Sequence, residues 1–100
     1  SGNYSASVRN AAVSSLTKNL ADELGPKGIN VVAIHPGTTK AGQAMTDEFE
    51  KRMTQSVSIG RLIEAKEIAY IVAFLASPKS IAINGETVAT GGGIIGPITY

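Results

Sequence analysis

Cysteine is absent from the 100 residues, and histidine occurs once, at His35. Without thiols there is no disulfide, thiolate metal site or cysteine nucleophile. One imidazole is too few for a zinc site, so no metal is expected. Charge of either sign is also not in excess: Lys and Arg number 9 against 8 Asp and Glu, a formal net charge of +1. The basic residues are scattered rather than clustered, which leaves no electrostatic footprint for nucleic acid or an anionic membrane surface. No apolar run approaches the roughly 18 residues that a membrane span needs. The opening residues do not read as a basic-then-apolar leader either. A soluble, cytoplasmic protein is the expectation.

What is present is ordinary globular material, with 43% hydrophobic and 17% charged residues. Residues 4–24 are helical in pattern. Val13, Leu16, Leu20 and Leu24 recur at three- and four-residue steps and predict the packing face, and Gly25-Pro26 predicts the stop. Residues 29–35, INVVAIH, form a short apolar run rich in β-branched residues, predicted to be a strand covered on both faces as in a parallel sheet. Pro36-Gly37 ends it. Residues 38–59 are polar and mixed and read as a loop or lid carrying a short helix at 47–54. A second helix is predicted over 64–77, with Ile68, Ile71, Val72 and Leu75 on its apolar face and Pro78 beyond it. Residues 86–90 predict a second strand. Strand, helical crossover, strand is the grammar of an α/β sheet. Two strands do not make a stable parallel sheet, and the first helix has no strand to cross from. Residues 1–100 are therefore expected to be the C-terminal fragment of a longer domain.

Three local motifs bear on chemistry. Gly91, Gly93 and Gly96 fit a G-x-G-x-x-G spacing after a predicted strand. The dinucleotide fingerprint needs a helix after the glycines, to offer its N-terminus to the pyrophosphate, and an acidic residue about 20 positions on. Neither follows here, so a glycine-rich exit from an edge strand is the better reading. Pro36, Gly37, Thr38 and Thr39 lie just past the end of a predicted buried strand, where open α/β sheets bind ligands, and their backbone groups are candidate contacts. The alternative is a plain turn. Tyr4 is a possible general acid/base, but a phenol titrates near pH 10 and needs a cationic partner to work at neutral pH. A lysine four residues on would serve. Position 8 is Val8, and Tyr4 alone reads equally as a packing residue at a helix start.

Taken in order, Ala11-Ala12-Val13, Leu16-Thr17, Glu23-Leu24, Gly28-Ile29-Asn30-Val31, Pro36-Gly37, Gly60-Arg61, Glu67-Ile68, Phe74-Leu75-Ala76-Ser77 and Gly85-Glu86-Thr87 resemble the C-terminal half of the short-chain dehydrogenase/reductase family. The resemblance implies the C-terminal part of a Rossmann-type, doubly wound parallel sheet flanked by helices. It implies an oxidoreductase that transfers hydride between NAD or NADP and a small alcohol or carbonyl substrate. A homo-oligomer, dimer or tetramer, is also implied, with the first helix packing against a partner subunit. On this resemblance Pro36, Gly37, Thr38 and Thr39 contact the nicotinamide end of the cofactor, and residues 38–54 cover the substrate.

The departures from the family pattern concern the Tyr-x-x-x-Lys pair of the first helix. Aligned on Tyr4, the lysine position is Val8. Aligned on Ala11-Ala12-Val13, the tyrosine position is Ala6 and the lysine position is Asn10. Tyr4 then precedes the regular helix. Neither alignment supplies a lysine. Asn10 could hydrogen-bond a ribose but carries no charge to lower a phenol's pKa. Tyr4 and Asn10 are thus the catalytic candidates of a degenerate site. The threonine that the family carries after Pro-Gly falls near Ala41, and the acidic residue before the last glycines is Gly91. The rival expectation is a non-catalytic member that keeps the fold for nucleotide binding or oligomerisation.

Overall fold

A computed structural model describes residues 2–40 and 45–96. The chain forms two compact units, Ser1–Ile34 with Ala73–Val88, and His35–Val72 with Ala89–Tyr100.

In the first unit, helix α1 runs over Gly2–Leu24 without interruption. Its buried positions are Thr17 and Ala21, with Leu20 and Leu24 half-buried. Val13 and Leu16 are 53% and 57% exposed, so the expected Val13–Leu16–Leu20 face is corrected. The reason is what α1 packs on. A Cβ placed on Gly85 would lie 3.3 Å from both Ala21 Cβ and Lys18 Cδ, and Ser14 Oγ is 3.3 Å from Thr87 Oγ1. The helix lies close over a glycine turn, and small residues set that distance where leucines could not fit. The buried Thr17 hydroxyl donates to the Val13 carbonyl at 2.7 Å, so no polar group is orphaned. The α-helix ends at Leu24, as Gly25-Pro26 predicted, but the left-handed cap lies further on. A 3-10 turn, Gly25–Lys27, continues the chain, and Gly28, at φ 80°, is the left-handed residue that ends it. The Lys18–Asp22 pair at 2.9 Å supplies a partner for an acidic residue placed at the unfavourable end of the helix dipole.

Strand β1 (Ala33–His35) and strand β4 (Thr87–Ala89) are neighbours in one sheet. In the first unit Gly85 N–H donates to Val31 O and Ala33 N–H to Glu86 O, at 2.9 and 3.0 Å. The bonds advance in the same direction along both segments, the parallel arrangement. The regular ladder is shorter than the apolar run 29–35 predicted. Asn84 Oδ1 takes the Val31 N–H at 2.8 Å, and Asn30 Nδ2 donates to the carbonyls of Ile81 and Ile83 at 2.8 and 3.1 Å. Two asparagine side chains therefore stand in for backbone partners just before the strand begins. Residues 31–34 are half-buried rather than covered.

In the second unit a short parallel pair joins β2 (Thr39–Lys40) to β3 (Ile63–Glu64), with Thr39 opposite Ile63 and Lys40 opposite Glu64. Helix α2 spans Asp47–Gln55. Thr46 caps it by accepting the Phe49 N–H at 3.1 Å, and Asp47, Glu48 and Glu50 fill its first turn, where the dipole favours them. Helix α3 spans Ala65–Leu75, and within it the chain passes from the second unit to the first. Ile68, Ile71 and Leu75 are half-buried, whereas Val72, expected beside them, is exposed. The start of α3 is fixed by Glu67. Its carboxylate accepts from the Glu64 N–H at 3.0 Å and from both terminal nitrogens of Arg61 at 2.6 and 2.7 Å. This is the returning half of a capping box, joined to a bidentate ion pair.

The Arg61 guanidinium, aided by the Glu64 N–H, lowers the Glu67 pKa from the usual carboxylate range to about 2. A depressed folded-state pKa contributes stability that is present above the unfolded value of 4.5 and is lost as pH falls towards about 2. Glu67→Gln is expected to lower the urea midpoint at pH 7 and to narrow its gap from the unsubstituted protein as pH falls through that window. A gap independent of pH would contradict the assignment. Asn84→Ala leaves the half-buried Val31 N–H without its acceptor and is expected to cost about 1–2 kcal/mol in chemical denaturation. A change within about 0.3 kcal/mol would show that water replaces the side chain without loss.

Candidate functional site

The carboxyl end of β1 is organised by its neighbour. In the second unit the His35 carbonyl accepts from Thr90 twice, from the N–H at 2.9 Å and from Oγ1 at 3.2 Å. Thr90 is buried and holds the strand end in place, while the His35 side chain contributes nothing to these bonds. The chain then turns through Pro36 and Gly37, at φ 68°. A Cβ on Gly37 would stand 3.0 Å from Gly91 Cα, and one on Gly91 would stand 3.3 Å from Gly37 Cα and 3.4 Å from the Pro36 carbonyl oxygen. Backbone passes close to backbone here, and a side chain at either position would be tight. Thr39 Oγ1 reaches back to the Pro36 carbonyl at 3.5 Å. Pro36, Gly37 and Thr38 are exposed, and Thr39 is half-buried. Among the described residues none accepts a hydrogen bond from the Gly37 or Thr38 N–H. Just outside a strand's carboxyl end, two backbone donors thus have no acceptor among the described residues, an arrangement suited to the polar edge of a ligand.

Past Gly91 the glycine run does something other than cradle phosphate. Ser58 N–H donates to Gly93 O at 2.9 Å, Ile59 N–H to Gly92 O at 3.2 Å, and Ile95 N–H to Ser56 O at 3.1 Å. Val57 and Ile94 form the antiparallel bridge at the centre of these bonds. Cβ atoms on Gly92 and Gly93 would lie 2.9 Å from Val57 Cγ1 and 2.8 Å from Ser58 Oγ. Both glycines have positive φ, 80° and 87°. They are required by this close pairing, and no helix follows them among the described residues.

On α1, Tyr4 is 78% exposed and lies inside the helix rather than before it. On a regular helix Asn10 falls between Thr17 and Ala21, about 20° from Thr17, and Ala6 about 20° on the other side of Thr17. Tyr4 stands about 140° from Thr17 and about 120° from Asn10. The two catalytic candidates are therefore not brought together. Ala6 is half-buried, alone among residues 4–10. Ala6 and Asn10, the tyrosine and lysine positions of the second alignment, thus lie on the side of α1 that carries Thr17 and Ala21. Tyr4 instead shares the outward face with Val8, Ala11, Ala12 and Ser15, all exposed. Ala41, the position of the family threonine, lies outside the described residues.

Reading the sequence did not single out the charged group between β2, α2 and β3. Lys40, Glu50, Thr54, Arg61, Leu62 and Glu64 line an open pocket of about 210 Å³. Lys40 Nζ is 3.0 Å from Glu50 Oε1, and this hydrogen bond and charge raise the lysine pKa. No periodic or spacing signal marks such a pocket, because its residues come from three elements. Among the described residues no cluster of acidic and histidine side chains is placed to hold a metal ion, and no helix is long and apolar enough to cross a membrane.

Residues 2–95 match the family model described as enoyl-(acyl carrier protein) reductase. The chain is 39% identical over 94 residues to the 3-oxoacyl-[acyl-carrier-protein] reductase FabG of Vibrio cholerae, an alignment covering 92% of this chain and 38% of the relative. It is 41% identical over 90 residues to the human dehydrogenase/reductase SDR family member 4, covering 86% of this chain and 32% of the relative. Among solved structures, the promiscuous reductase LugOII, which catalyses keto-reduction at C1 in lugdunomycin biosynthesis, superposes with a TM-score of 0.78 at 35% identity, over 83% of this chain and 34% of that one. The angucycline C-6 ketoreductase LanV, solved with bound NADP, superposes with a TM-score of 0.76 at 30% identity, over 83% of this chain and 33% of that one. The chain thus spans about a third of the length of these relatives. With its α/β architecture, the glycine-tight end of β1 and a family match over nearly its whole length, the chain belongs to the short-chain dehydrogenase/reductase family.

Proposed function

We propose that the chain is the C-terminal part of an NAD- or NADP-dependent oxidoreductase acting on a small alcohol or carbonyl compound. The observation that carries this is the end of β1, where Gly37 and Gly91 touch and the Gly37 and Thr38 N–H groups have no acceptor among the described residues. When bound, the nicotinamide supplies or accepts the hydride. Pro36, Gly37, Thr38 and Thr39 would hold its polar edge through backbone groups and the Thr39 hydroxyl. Their fit is a matter of shape, since a side chain at position 37 or 91 would crowd the turn that presents the donors. Asn10, taken by itself on α1, stands at the family's lysine position and could hydrogen-bond a ribose hydroxyl without offering charge. The nucleotide-binding glycine motif and catalytic serine of the family match nothing among these 100 residues. The chain alone is therefore proposed to be inactive.

The acid/base role of Tyr4 has the phenol itself in its favour, but not the direction it takes from α1. A second reading follows from that direction: a non-catalytic member that binds nucleotide or oligomerises. Tyr4, Val8, Ala11, Ala12 and Ser15 make an exposed face of mostly small residues, suited to close packing against the same helix of a second copy in a dimer or tetramer.

The test uses the full-length protein. Gly37→Ala introduces a side chain at positive φ and against Gly91, and is expected to weaken NAD(P)H binding by roughly tenfold or more in a fluorescence titration. Unchanged affinity would remove the β1 end from the cofactor site. Tyr4→Phe is expected to leave cofactor oxidation with a panel of carbonyl compounds within about twofold. A loss of roughly a hundredfold or more, the usual worth of a general acid, would assign the proton to Tyr4 and overturn the register read from α1. Cofactor binding without turnover on any carbonyl would support the second reading.

A further inference from the structure

The chain carries Asn3, Asn10, Asn19, Asn30 and Asn84, and only Asn84 is followed by glycine. That pairing is chemically weak. The carboxamide carbon of an asparagine is one ring closure away from the next peptide nitrogen, and glycine has no Cβ to obstruct the approach. In this fold a single residue holds both groups that would react. The Gly85 N–H, the nucleophile once its proton is lost, donates to Val31 O at 2.9 Å. Asn84 Oδ1, on the carbon to be attacked, accepts from the Val31 N–H at 2.8 Å. The amide nitrogen that would leave, Asn84 Nδ2, lies 3.7 Å from where a Cβ on Gly25 would stand, beside a residue with no side chain. Asn30 clamps the same segment from outside, donating to the carbonyls of Ile81 and Ile83 at 2.8 and 3.1 Å. Asn84 and Gly85 are half-buried, whereas Ile81 and Glu86 on either side are exposed.

We propose that Asn84-Gly85 is a site of self-modification latched by Val31, converting to aspartate and isoaspartate when residues 81–85 lift from Val31. The Gly85 nitrogen gives up its proton and bonds to Asn84 Cγ. The Cγ–Nδ2 bond breaks, and ammonia leaves with the proton. Water then opens the cyclic imide. Cleavage of the bond from the Gly85 nitrogen to Cγ leaves aspartate. Cleavage of its bond to the Asn84 main-chain carbonyl carbon leaves isoaspartate, with the side-chain methylene now in the main chain. While the latch is closed, Val31 O keeps the proton on the Gly85 nitrogen and the Val31 N–H keeps the carboxamide turned towards itself. The isoaspartyl product adds an atom to the main chain just before Gly85. It therefore shifts Gly85 against Val31 and against Ala21 and Lys18, each 3.3 Å from a Cβ placed on that glycine. The modification thus records how often the approach to β1 opens, and it loosens the seat of α1 in the copies it has marked. Every residue involved lies in the first unit, so the site does not rest on the cofactor reading.

The full-length protein is incubated in mildly alkaline buffer made with heavy-oxygen water, so that each conversion leaves a label. Peptides spanning Asn84 are then separated and weighed by mass spectrometry. In the urea-unfolded protein Asn84 is expected to convert roughly tenfold or more faster than Asn10, Asn19 or Asn30. In the folded protein it is expected to convert roughly ten- to hundredfold more slowly than in the unfolded one. Hydrogen exchange at the Gly85 N–H, read by NMR, should be slowed by the same factor, because one opening releases both. Asn30→Ala removes the outer clamp and is expected to speed conversion and exchange together, by roughly three- to tenfold. The match between conversion and exchange in the unsubstituted protein needs no variant to fold. Equal rates in the folded and unfolded protein, conversion out of step with Gly85 exchange, or a folded Asn30→Ala protein that changes neither would overturn the latch. An unfolded chain in which Asn84 converts no faster than the other asparagines would overturn the site itself.

Discussion

The constraint on which the second unit depends is the absence of side chains where backbone crosses backbone. Gly37 and Gly91 meet at the end of β1 and β4, and Gly92 and Gly93 press against the 57–59 segment. A Cβ at Gly92 or Gly93 would come closer than 3.0 Å to its neighbour, one at Gly37 or Gly91 would be tight, and Gly37, Gly92 and Gly93 also have positive φ. Glycine is entropically expensive to order, so three in a row need a reason. Here the first tightens a strand end and the next two allow an antiparallel strap. The same run that imitates a phosphate loop in sequence is therefore spent on packing. A phosphate loop needs its N–H groups free and a helix behind them, whereas here the strap's carbonyls are taken by Ser58 and Ile59 and the chain runs on into Ile94 and Ile95.

That contact bears on Gly91, which the family resemblance puts at the position of an acidic residue. A Cβ there would sit 3.3 Å from Gly37 Cα and 3.4 Å from the Pro36 carbonyl oxygen, tighter than most real contacts. A carboxylate would bring its charge towards that oxygen as well. Glycine relieves both effects and lets the Pro36–Gly37 turn settle against the strand beside it. The difference is thus a matter of local packing at the site's edge, whatever is bound there.

Much of the architecture was legible. The helices at 47–55 and 65–75 fall within a residue or two of expectation, the second because the spacing of Ile68, Ile71 and Leu75 and the following Pro78 are local signals. The two strands of the β1–β4 pair were found, though shorter, since the side-chain amides of Asn30 and Asn84 replaced part of the ladder and no periodicity reveals that. The packing face of α1 was misread. Leucine spacing points to Val13 and Leu16, yet the helix lies on Gly85, and the approach that glycine permits selects Thr17 and Ala21. At the site, Pro36 to Thr39 were legible from the strand's end, whereas Thr90 and Gly91, which hold them, come from a distant part of the chain. The pocket at Lys40 and Glu50 was invisible for the same reason.

The exposed apolar residues of α1 and the open edge of β1 follow from one proposal. Among the described residues β1 has a strand on one edge only, and no large side chain is fully buried. A parallel strand is ordinarily covered and flanked, because its connections place helices on the sheet's faces. Val13 and Leu16 lie on the same side of Thr17, about 40° and 100° round the helix from it, and are exposed. Among the described residues they are not covered, while each relative continues for about twice this length again. If the chain is the C-terminal part of such a domain, the remaining strands would supply that cover, and the sheet that positions the end of β1 would be completed by residues outside this chain.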